Sequence, residues 1–214
     1  MRTENRSAPP RLCLYCGSSS GARPEFAEAA AELGRSMAER GVGLVYGGGS
    51  VGLMGVAADA ALAAGGEVVG VITEQLLAAE VAHRGVTSLE VVGSMHERKA
   101  RMCDLADGFV VLPGGFGTVD EFAEMLTWNQ LGIVAKPVVL VDLHGYWSPF
   151  LQWIEHAADH GFVRPAHRGL ARRAATVSEA IDLALQPLEP MAAKWDGADR
   201  TATFATGTTG TDDA

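Results

Sequence analysis

Glu121 is the residue whose position most directly suggests chemistry. It follows the glycine-rich segment PGGFG at 113–117, and the pattern places it in the first turn of a helix predicted over 117–131. The helix dipole favours an ionised carboxylate in a first turn. An ionised glutamate beside a sugar stabilises an oxocarbenium-like transition state and orients water, as cleavage of a glycosidic bond requires. The residues alone allow an equal alternative, in which Glu121 only complements the dipole.

The glycines before this glutamate predict a binding site for a phosphate. Gly114, Gly115 and Gly117 free backbone N–H groups at the start of the helix, and these donors together with the dipole attract an anion. Thr118 is predicted to cap the helix and to donate to a phosphate oxygen. No G-K-[ST] sequence follows, so the segment is not a Walker loop. The alternative is an ordinary turn between a strand and a helix, with Thr118 as a cap.

Arg98 is the second candidate for the reaction centre. In the segment MHERKARM at 95–102, Met95, Arg98 and Met102 share one face of a predicted helix. That face places the guanidinium among apolar neighbours, where an arginine often binds an anion. A solvated basic helix surface has equal weight from the residues alone.

A second glycine-rich junction, YGGGSVG at 46–52, also follows a predicted strand. Its glycines satisfy G-x-G-x-x-G before a helix, which is the pattern of a dinucleotide site. The acid expected at the end of the following strand is missing, because Glu67 begins that strand and Thr73 ends it. A mononucleotide is therefore favoured over a dinucleotide, and packing of a tight turn is the alternative.

Strands alternate with amphipathic helices along the chain, and this order predicts the scaffold. The strands cover 11–16, 43–46, 67–72, 88–92, a segment from 108 into the glycines, and 136–142, while the helices cover 24–40, a segment ending near 65, 95–106, 117–131 and 147–159, with a last strand and helix near 175–185. We predict an α/β, Rossmann-like three-layer fold with a mostly parallel sheet and helices on both faces. One domain is expected over 11–186, between loose tails at 1–10 and 187–214.

Composition excludes several classes of partner. The chain has 214 residues, a formal net charge of −9 and a pI of about 5.1. A protein this acidic is a poor candidate for binding duplex nucleic acid or an anionic membrane. Binding of a small anionic molecule remains possible, because local dipoles and one or two arginines can hold it. Because no apolar run has the length of a membrane span and the N-terminal segment is polar, we expect a cytoplasmic protein.

Cysteine and histidine pairs give no strong sign of a redox or metal site. Cys13 and Cys16 form a C-x-x-C pair, but RLCLYC has the pattern of a strand, so we expect buried structural thiols. His156 and His160 have the spacing of metal ligands without a third ligand in view, which favours an exposed helix surface.

Together these segments resemble the LONELY GUY family, the cytokinin-activating phosphoribohydrolases that are often mislabelled as lysine decarboxylases. The resemblance covers about residues 11–185 and is carried by CGSSSG at 16–21, YGGGSVGLMG at 46–55, MHERK at 95–99, PGGFGTVDE at 113–121 and TWNQLG at 127–132. One departure is Asp120, where the family often has glutamate.

The resemblance implies a homodimer that hydrolyses cytokinin riboside 5′-monophosphates, and AMP, to the purine base and ribose 5-phosphate. It implies a small nucleotide as the partner, and it implies no metal or organic cofactor. It carries catalytic roles onto Arg98 and Glu121. It carries substrate contacts onto Glu80, Arg98, Lys99, Gly114, Gly115, Phe116, Gly117, Thr118, Val119, Asp120, Glu121 and Thr127.

The purine substituent requires an apolar pocket, for which Met95, Trp128 and Leu131 are candidates, with core or dimer packing as an equal alternative. The rival function is a non-catalytic carrier of a nucleotide or of the molybdenum cofactor, which would use the phosphate loop without the Arg98 and Glu121 pair. A lysine decarboxylase would need a lysine bound to pyridoxal phosphate, and the chain offers no clear context for one.

Overall fold

Seven short strands form one parallel sheet at the centre of the computed structural model, which describes residues 8–79 and 81–189. The strands are β1 (Arg11–Tyr15), β2 (Gly43–Tyr46), β3 (Val68–Thr73), β4 (Ser88–Val92), β5 (Gly108–Val111), β6 (Val138–Val141) and β7 (Ala171–Ala174). Their order across the sheet is β4-β3-β2-β1-β5-β6-β7, and every pair of neighbouring strands is parallel. Helices cover both faces, which explains why β2, β3, β5 and β6 are buried along their whole length.

The described residues form seven α-helices, of which six connect successive strands and the last follows β7. They are α1 (Pro24–Glu39), α2 (Gly52–Ala63), α3 (Glu74–Ala78), α4 (Met95–Leu105), α5 (Phe116–Gln130), α6 (Ser148–Asp159) and α7 (Val177–Leu185). Buried residues of α1, α2 and α7 pack with Leu12 and Leu14 on one face of the sheet, and those of α4, α5 and α6 pack with Cys13 and Tyr15 on the other. The predicted three-layer fold is therefore confirmed.

The structure departs from the predicted elements in two places. Helix α3 was not predicted, because five residues are too few to show a helical period. The last strand lies at Ala171–Ala174, before the segment near 175–185, because Arg172 and Arg173 interrupt the apolar pattern of this edge strand. The predicted tails at 1–10 and 187–214 fall mostly outside the described residues.

The cysteines behave as predicted. Cys13, Cys16 and Cys103 are buried and unpaired. Cys13 and Cys16 belong to the cores on opposite faces of the sheet, as expected for residues three apart in an extended segment. Across residues 8–79 and 81–189, no helix combines the length and the apolar character that crossing a bilayer requires.

The direction of the chain reverses beside β1, and this reversal creates a crevice. Strands β1 to β4 run to one side of the sheet, whereas β5 returns to the other side of β1. In open parallel sheets the loops after two such strands diverge, and ligands bind between them. The loop after β1 is tied to the loop after β5, since the N–H of Gly17 donates to the carbonyl of Pro113 at 3.0 Å.

Candidate active site

A cavity of about 550 Å³ lies at this crevice, a size typical of a site for a small molecule. Its walls come from the carboxyl ends of four adjacent strands and from α4. The lining residues are Cys16, Gly17 and Ser18 after β1, Gly47, Gly49, Val51 and Met54 after β2, Ile72, Leu76 and Val81 from β3 onward, Arg98 of α4, and Gly115, Phe116, Gly117, Thr118 and Glu121 at the start of α5.

Backbone amides at the start of α5 face a ligand-sized space. The first hydrogen bond of the helix runs from Val119 N–H to the Gly115 carbonyl at 3.1 Å, so the N–H groups of residues 116–118 have no acceptor within the helix. A Cβ added at Gly115 or Gly117 would meet no atom within 4 Å. Packing therefore does not require glycine at these two positions, whereas close approach of an anion would.

Thr118 does not cap the helix, contrary to the prediction. Gly115 is the N-cap residue, without a side-chain hydrogen bond, and Thr118 is the third residue of the helix. Its side chain is buried against the loop, where a Cβ at Gly114 would overlap Thr118 Oγ1. The glycine at 114 therefore lets the loop close over the threonine.

Glu121 lies in the second turn of α5, because the helix begins at Phe116, and the predicted first-turn position is wrong. The helix dipole acts mainly within the first turn, so burial decides the state of this carboxyl group. Burial raises the pKa of Glu121 to about 7, although Arg98 and Lys99 lower it and Asp120 raises it further. At neutral pH the group therefore exchanges a proton readily, which suits a general base.

Arg98 is buried beside this carboxylate. Its Nε donates to the carbonyl of Val71 at 2.9 Å and its Nη2 donates to the carbonyl of Gly47 at 2.8 Å. Its Nη1 lies 3.4 Å from Oε1 of Glu121 and 3.3 Å from the sulfur of Met95. The side chain is only 7% exposed, which rules out the alternative of a solvated basic surface.

Lys99 points away from the cavity and joins α4 to α5. Its Nζ lies 3.1 Å from Oδ2 of Asp120 and 3.1 Å from Oε2 of Glu124. The lysine side chain is 7% exposed, whereas that of Asp120 is 63% exposed. This bridge fixes α5 next to α4 and so holds Glu121 beside Arg98.

The remaining predicted contacts are spread more widely. Val119 is half-buried and packs against the core on its own face of the sheet. Thr127 Oγ1 donates to the carbonyl of Ala123 at 2.9 Å and faces a separate apolar groove between α5 and α6. Gly114 lies beside a neighbouring cavity of about 240 Å³. Glu80 lies outside the described residues.

The apolar wall of the cavity differs from the predicted pocket. Met95, Trp128 and Leu131 do not line the cavity formed by the described residues. Its apolar residues are instead Val51, Met54, Ile72, Leu76 and Val81. The glycines at 47–52 and the end of the third strand were visible in the sequence, whereas Leu76 lies on the helix that was not predicted.

The segment after α3 is attached to the glycine loop after β2. The N–H of Ser50 donates to the carbonyl of Val81 at 2.8 Å, and the N–H of His83 donates to the carbonyl of Gly48 at 2.8 Å. His83 Nε2 also lies 2.9 Å from Oδ1 of Asp59. These bonds hold Val81 at the cavity wall.

Comparison with known proteins places these motifs in a wider group. Residues 54–184 match the family described as "Possible lysine decarboxylase". The chain is 45% identical over 178 residues to the cytokinin riboside 5′-monophosphate phosphoribohydrolase LOG of Oryza sativa subsp. japonica, which covers 83% of this chain and 74% of the relative. It is 42% identical to LOG7 of Arabidopsis thaliana, over 92% of this chain and 93% of the relative.

A bacterial relative and a solved structure extend the comparison. The cytokinin riboside 5′-monophosphate phosphoribohydrolase of Rhodococcoides fascians is 49% identical to this chain, over 76% of this chain and 83% of the relative. The molybdenum cofactor carrier protein of Chlamydomonas reinhardtii has a similar structure, with a TM-score of 0.62 and 27% identity over 81% of this chain and 94% of that chain.

Proposed function

This chain belongs to the family of cytokinin riboside 5′-monophosphate phosphoribohydrolases, and we propose that it hydrolyses the N-glycosidic bond of such nucleotides, and of AMP, to the purine base and ribose 5-phosphate. The observation that carries this proposal is the buried pair of Arg98 and Glu121 beside free amides at the start of α5, in one cavity. We propose that residues 11–186 form the domain that does so.

The phosphate would bind at the amides of residues 115–118, where the helix dipole adds to their attraction. Glu121 lies one helical turn beyond, next to the ribose of a nucleotide held there. Its carboxylate would stabilise positive charge on the sugar and accept a proton from water as the water oxygen bonds to C1′. The electron pair of the broken bond leaves with the purine nitrogen, which takes up a proton.

Arg98 would lower the pKa of Glu121 against the effect of burial, and it would orient the sugar phosphate. The guanidinium is held by two backbone carbonyls, so it is in place before the substrate binds. With the phosphate near β5, the base points toward β2 and β3. An apolar substituent on the purine would then lie against Ile72, Leu76 and Val81.

Two rival functions need different residues. A decarboxylase dependent on pyridoxal phosphate needs an accessible lysine, but Lys99 is held by two carboxylates and Lys136 Nζ donates to the carbonyl of Cys103 at 2.6 Å; the third lysine, Lys194, lies outside the described residues. A molybdenum cofactor carrier, which the similar solved structure suggests, has no need of a carboxylate with a pKa near 7.

The test is to incubate the purified protein with AMP and with isopentenyl-AMP and to follow free base and ribose 5-phosphate by chromatography. We expect both products in equal amounts and a higher kcat/KM for isopentenyl-AMP. Binding of nucleotide without release of base would favour the carrier. A kcat/KM ratio near one would remove the case for an apolar substituent pocket.

We also propose a homodimer in the cytoplasm. Thr127 faces outside the cavity of its own subunit, so a substrate contact by this residue would have to be made to a second subunit. Exposed Trp153 and Phe162, at 57% and 82%, offer apolar surface on the same side of the sheet. Unpaired cysteines are typical of a reducing compartment. Light scattering should give twice the chain mass of 22.4 kDa.

The substitution Gly117→Ala tests the phosphate site. The added methyl meets no protein atom within 4 Å, and alanine favours the helix, so thermal stability should be unchanged or higher. A methyl group at the amide surface should hinder the phosphate, and we expect KM for AMP to rise about tenfold. Steady-state kinetics and a melting curve measure both. An unchanged KM would place the phosphate elsewhere.

The substitution Asp120→Asn tests the proton transfer. Because the pKa of Glu121 is about 7, kcat/KM in the wild type should fall as the pH drops through 7. The charge of Asp120 raises the pKa of Glu121 and also neutralises Lys99, which lowers it. Removing the charge of Asp120 should therefore move the decrease in kcat/KM to lower pH.

The matched control is Glu28→Gln, which removes an exposed acid from α1 on the opposite face of the sheet. Its pH profile should coincide with that of the wild type. The comparison also separates Glu121 from the substrate phosphate, whose own titration no protein variant alters. If the pH profile of kcat/KM in Asp120→Asn coincided with that of the wild type, the decrease at low pH could not be assigned to Glu121.

A further inference from the structure

Tyr146 reaches the phosphate loop from the segment after β6, the strand next to β5. It follows the 3₁₀ turn Leu143–Gly145 after β6, and its hydroxyl donates to the carbonyl of Gly114 at 2.6 Å. This short bond joins two loops that are 32 residues apart in the sequence. The family motif around 113–121 does not contain the residue that makes it.

Tyr146 is 41% exposed, and two aromatic side chains pack against its ring. It makes edge-to-face contacts with Phe26 and Trp147, at centroid distances of 5.7 and 4.9 Å. The buried carboxylate of Asp142 accepts hydrogen bonds from the N–H groups of Trp147 and Ser148 at 2.7 and 3.1 Å, which fixes the backbone after the tyrosine. These contacts set the position from which the hydroxyl donates to Gly114.

Peptide geometry links this bond to the phosphate site. The carbonyl of Gly114 and the N–H of Gly115 belong to one planar trans peptide, so they point in opposite directions. Tyr146 and Gly114 border the neighbouring cavity of about 240 Å³, whereas Gly115 also lines the larger cavity with Arg98 and Glu121. A carbonyl that is held toward Tyr146 turns the N–H of Gly115 away from it, toward the larger cavity.

Two consecutive glycines make this control necessary. A peptide between glycines rotates more freely than any other, because no Cβ restricts either side. A donor on the carbonyl also polarises the peptide and strengthens its N–H as a donor on the other side. Tyr146 thus supplies both the orientation and part of the strength of this amide.

We propose that Tyr146 is a positioning residue that orients the Gly115 amide toward the substrate phosphate without touching the substrate. This inference rests on the proposed function and adds a residue to its phosphate site. It predicts that the hydroxyl affects recognition of the phosphate and leaves recognition of the base and the bond-breaking step unchanged.

The test is Tyr146→Phe, which keeps the ring and its aromatic contacts and removes only the hydroxyl. Loss of one oriented hydrogen bond should raise KM for AMP about three- to tenfold, with kcat within about twofold of wild type. Ribose 5-phosphate should inhibit the variant more weakly by the same factor. Adenine, which lacks the phosphate, should inhibit both proteins equally.

Two results would overturn the inference. One is wild-type inhibition by ribose 5-phosphate in the variant, and the other is an equal loss of affinity for ribose 5-phosphate and adenine, which would indicate a general change of the fold. Calorimetric titration of both proteins with ribose 5-phosphate tests the inference without turnover. Absence of hydrolysis by the wild-type protein would instead refute the proposed function.

Discussion

Substitution of Glu121 by glutamine should lower kcat by about 10³-fold or more, with a folded protein that still binds the nucleotide. Glutamine has nearly the same shape, but it carries no negative charge to stabilise the sugar cation and accepts no proton from water. Because the substitution leaves unchanged the backbone amides of residues 115–118, at which we propose that the phosphate binds, KM for AMP should change little. Single-turnover measurement of base release, together with calorimetric binding of AMP, separates the two effects.

Glu124→Gln is the matched control for this loss. Glu124 lies one turn further along α5, and its carboxylate pairs with Lys99 outside the cavity. We expect a small loss of stability, because Lys99 keeps Asp120 as a partner, and a kcat close to that of the wild type. If the two variants lost activity equally, the loss would come from the position of α5 and the assignment of Glu121 would fail.

The pH dependence of stability gives an independent check on the same carboxyl group. Burial raises the pKa of Glu121 from 4.5 to about 7, so the folded protein binds a proton there that the unfolded chain releases. Stability from this proton is fully present below about pH 4.5 and is lost as the pH rises through 7. Glu121→Gln should therefore be more stable relative to wild type at pH 8 than at pH 5.

The fold followed from the sequence because its signals are strong and local. Each buried strand is a short apolar run, and each is followed by glycines or a helix start, as in β2 with its glycine loop and β5 with the loop before α5. Parallel strands with helices on both faces admit few arrangements, and the crevice beside β1 is a consequence of that topology.

The details of the site were less predictable, because they depend on contacts between distant segments. The start of α5 at Phe116 moved Glu121 out of the first turn, and only the packing around it shows that burial controls its pKa. In the same way, the sequence around Lys99 does not reveal that Asp120 and Glu124 hold its ammonium group away from the cavity. The pKa of Glu121 and the ion pairs of Lys99 both depend on how α4 packs against α5, which the sequence alone does not show.

Gly47 has a role in the structure that its sequence motif did not indicate. The sequence indicated a glycine loop for binding a nucleotide, with turn packing as the alternative. In the structure a Cβ at Gly47 would overlap Nη2 of Arg98, and the Gly47 carbonyl accepts a hydrogen bond from that same atom. This glycine therefore makes room for the buried guanidinium of Arg98.

The substitution Gly47→Ala should consequently act through Arg98. The methyl group would push the guanidinium away from the carbonyls of Gly47 and Val71 and from Glu121, and a shift of about 1 Å at a reaction centre costs about 10²-fold in rate. We expect kcat/KM for AMP to fall by at least that factor. Gly49→Ala is the matched change in the same loop, since its Cβ would lie 3.4 Å from Met54 Cε in ordinary contact, and it should cost less than about tenfold.

A double-mutant cycle with Arg98→Ala identifies the route of the effect. If Gly47 matters only because it accommodates Arg98, alanine at 47 has nothing left to displace once the arginine is gone, and the double variant should be no less active than Arg98→Ala alone. Circular dichroism of all three variants confirms that they are folded. Losses that multiply in the double variant, or wild-type activity in Gly47→Ala, would show that the arginine does not depend on this glycine.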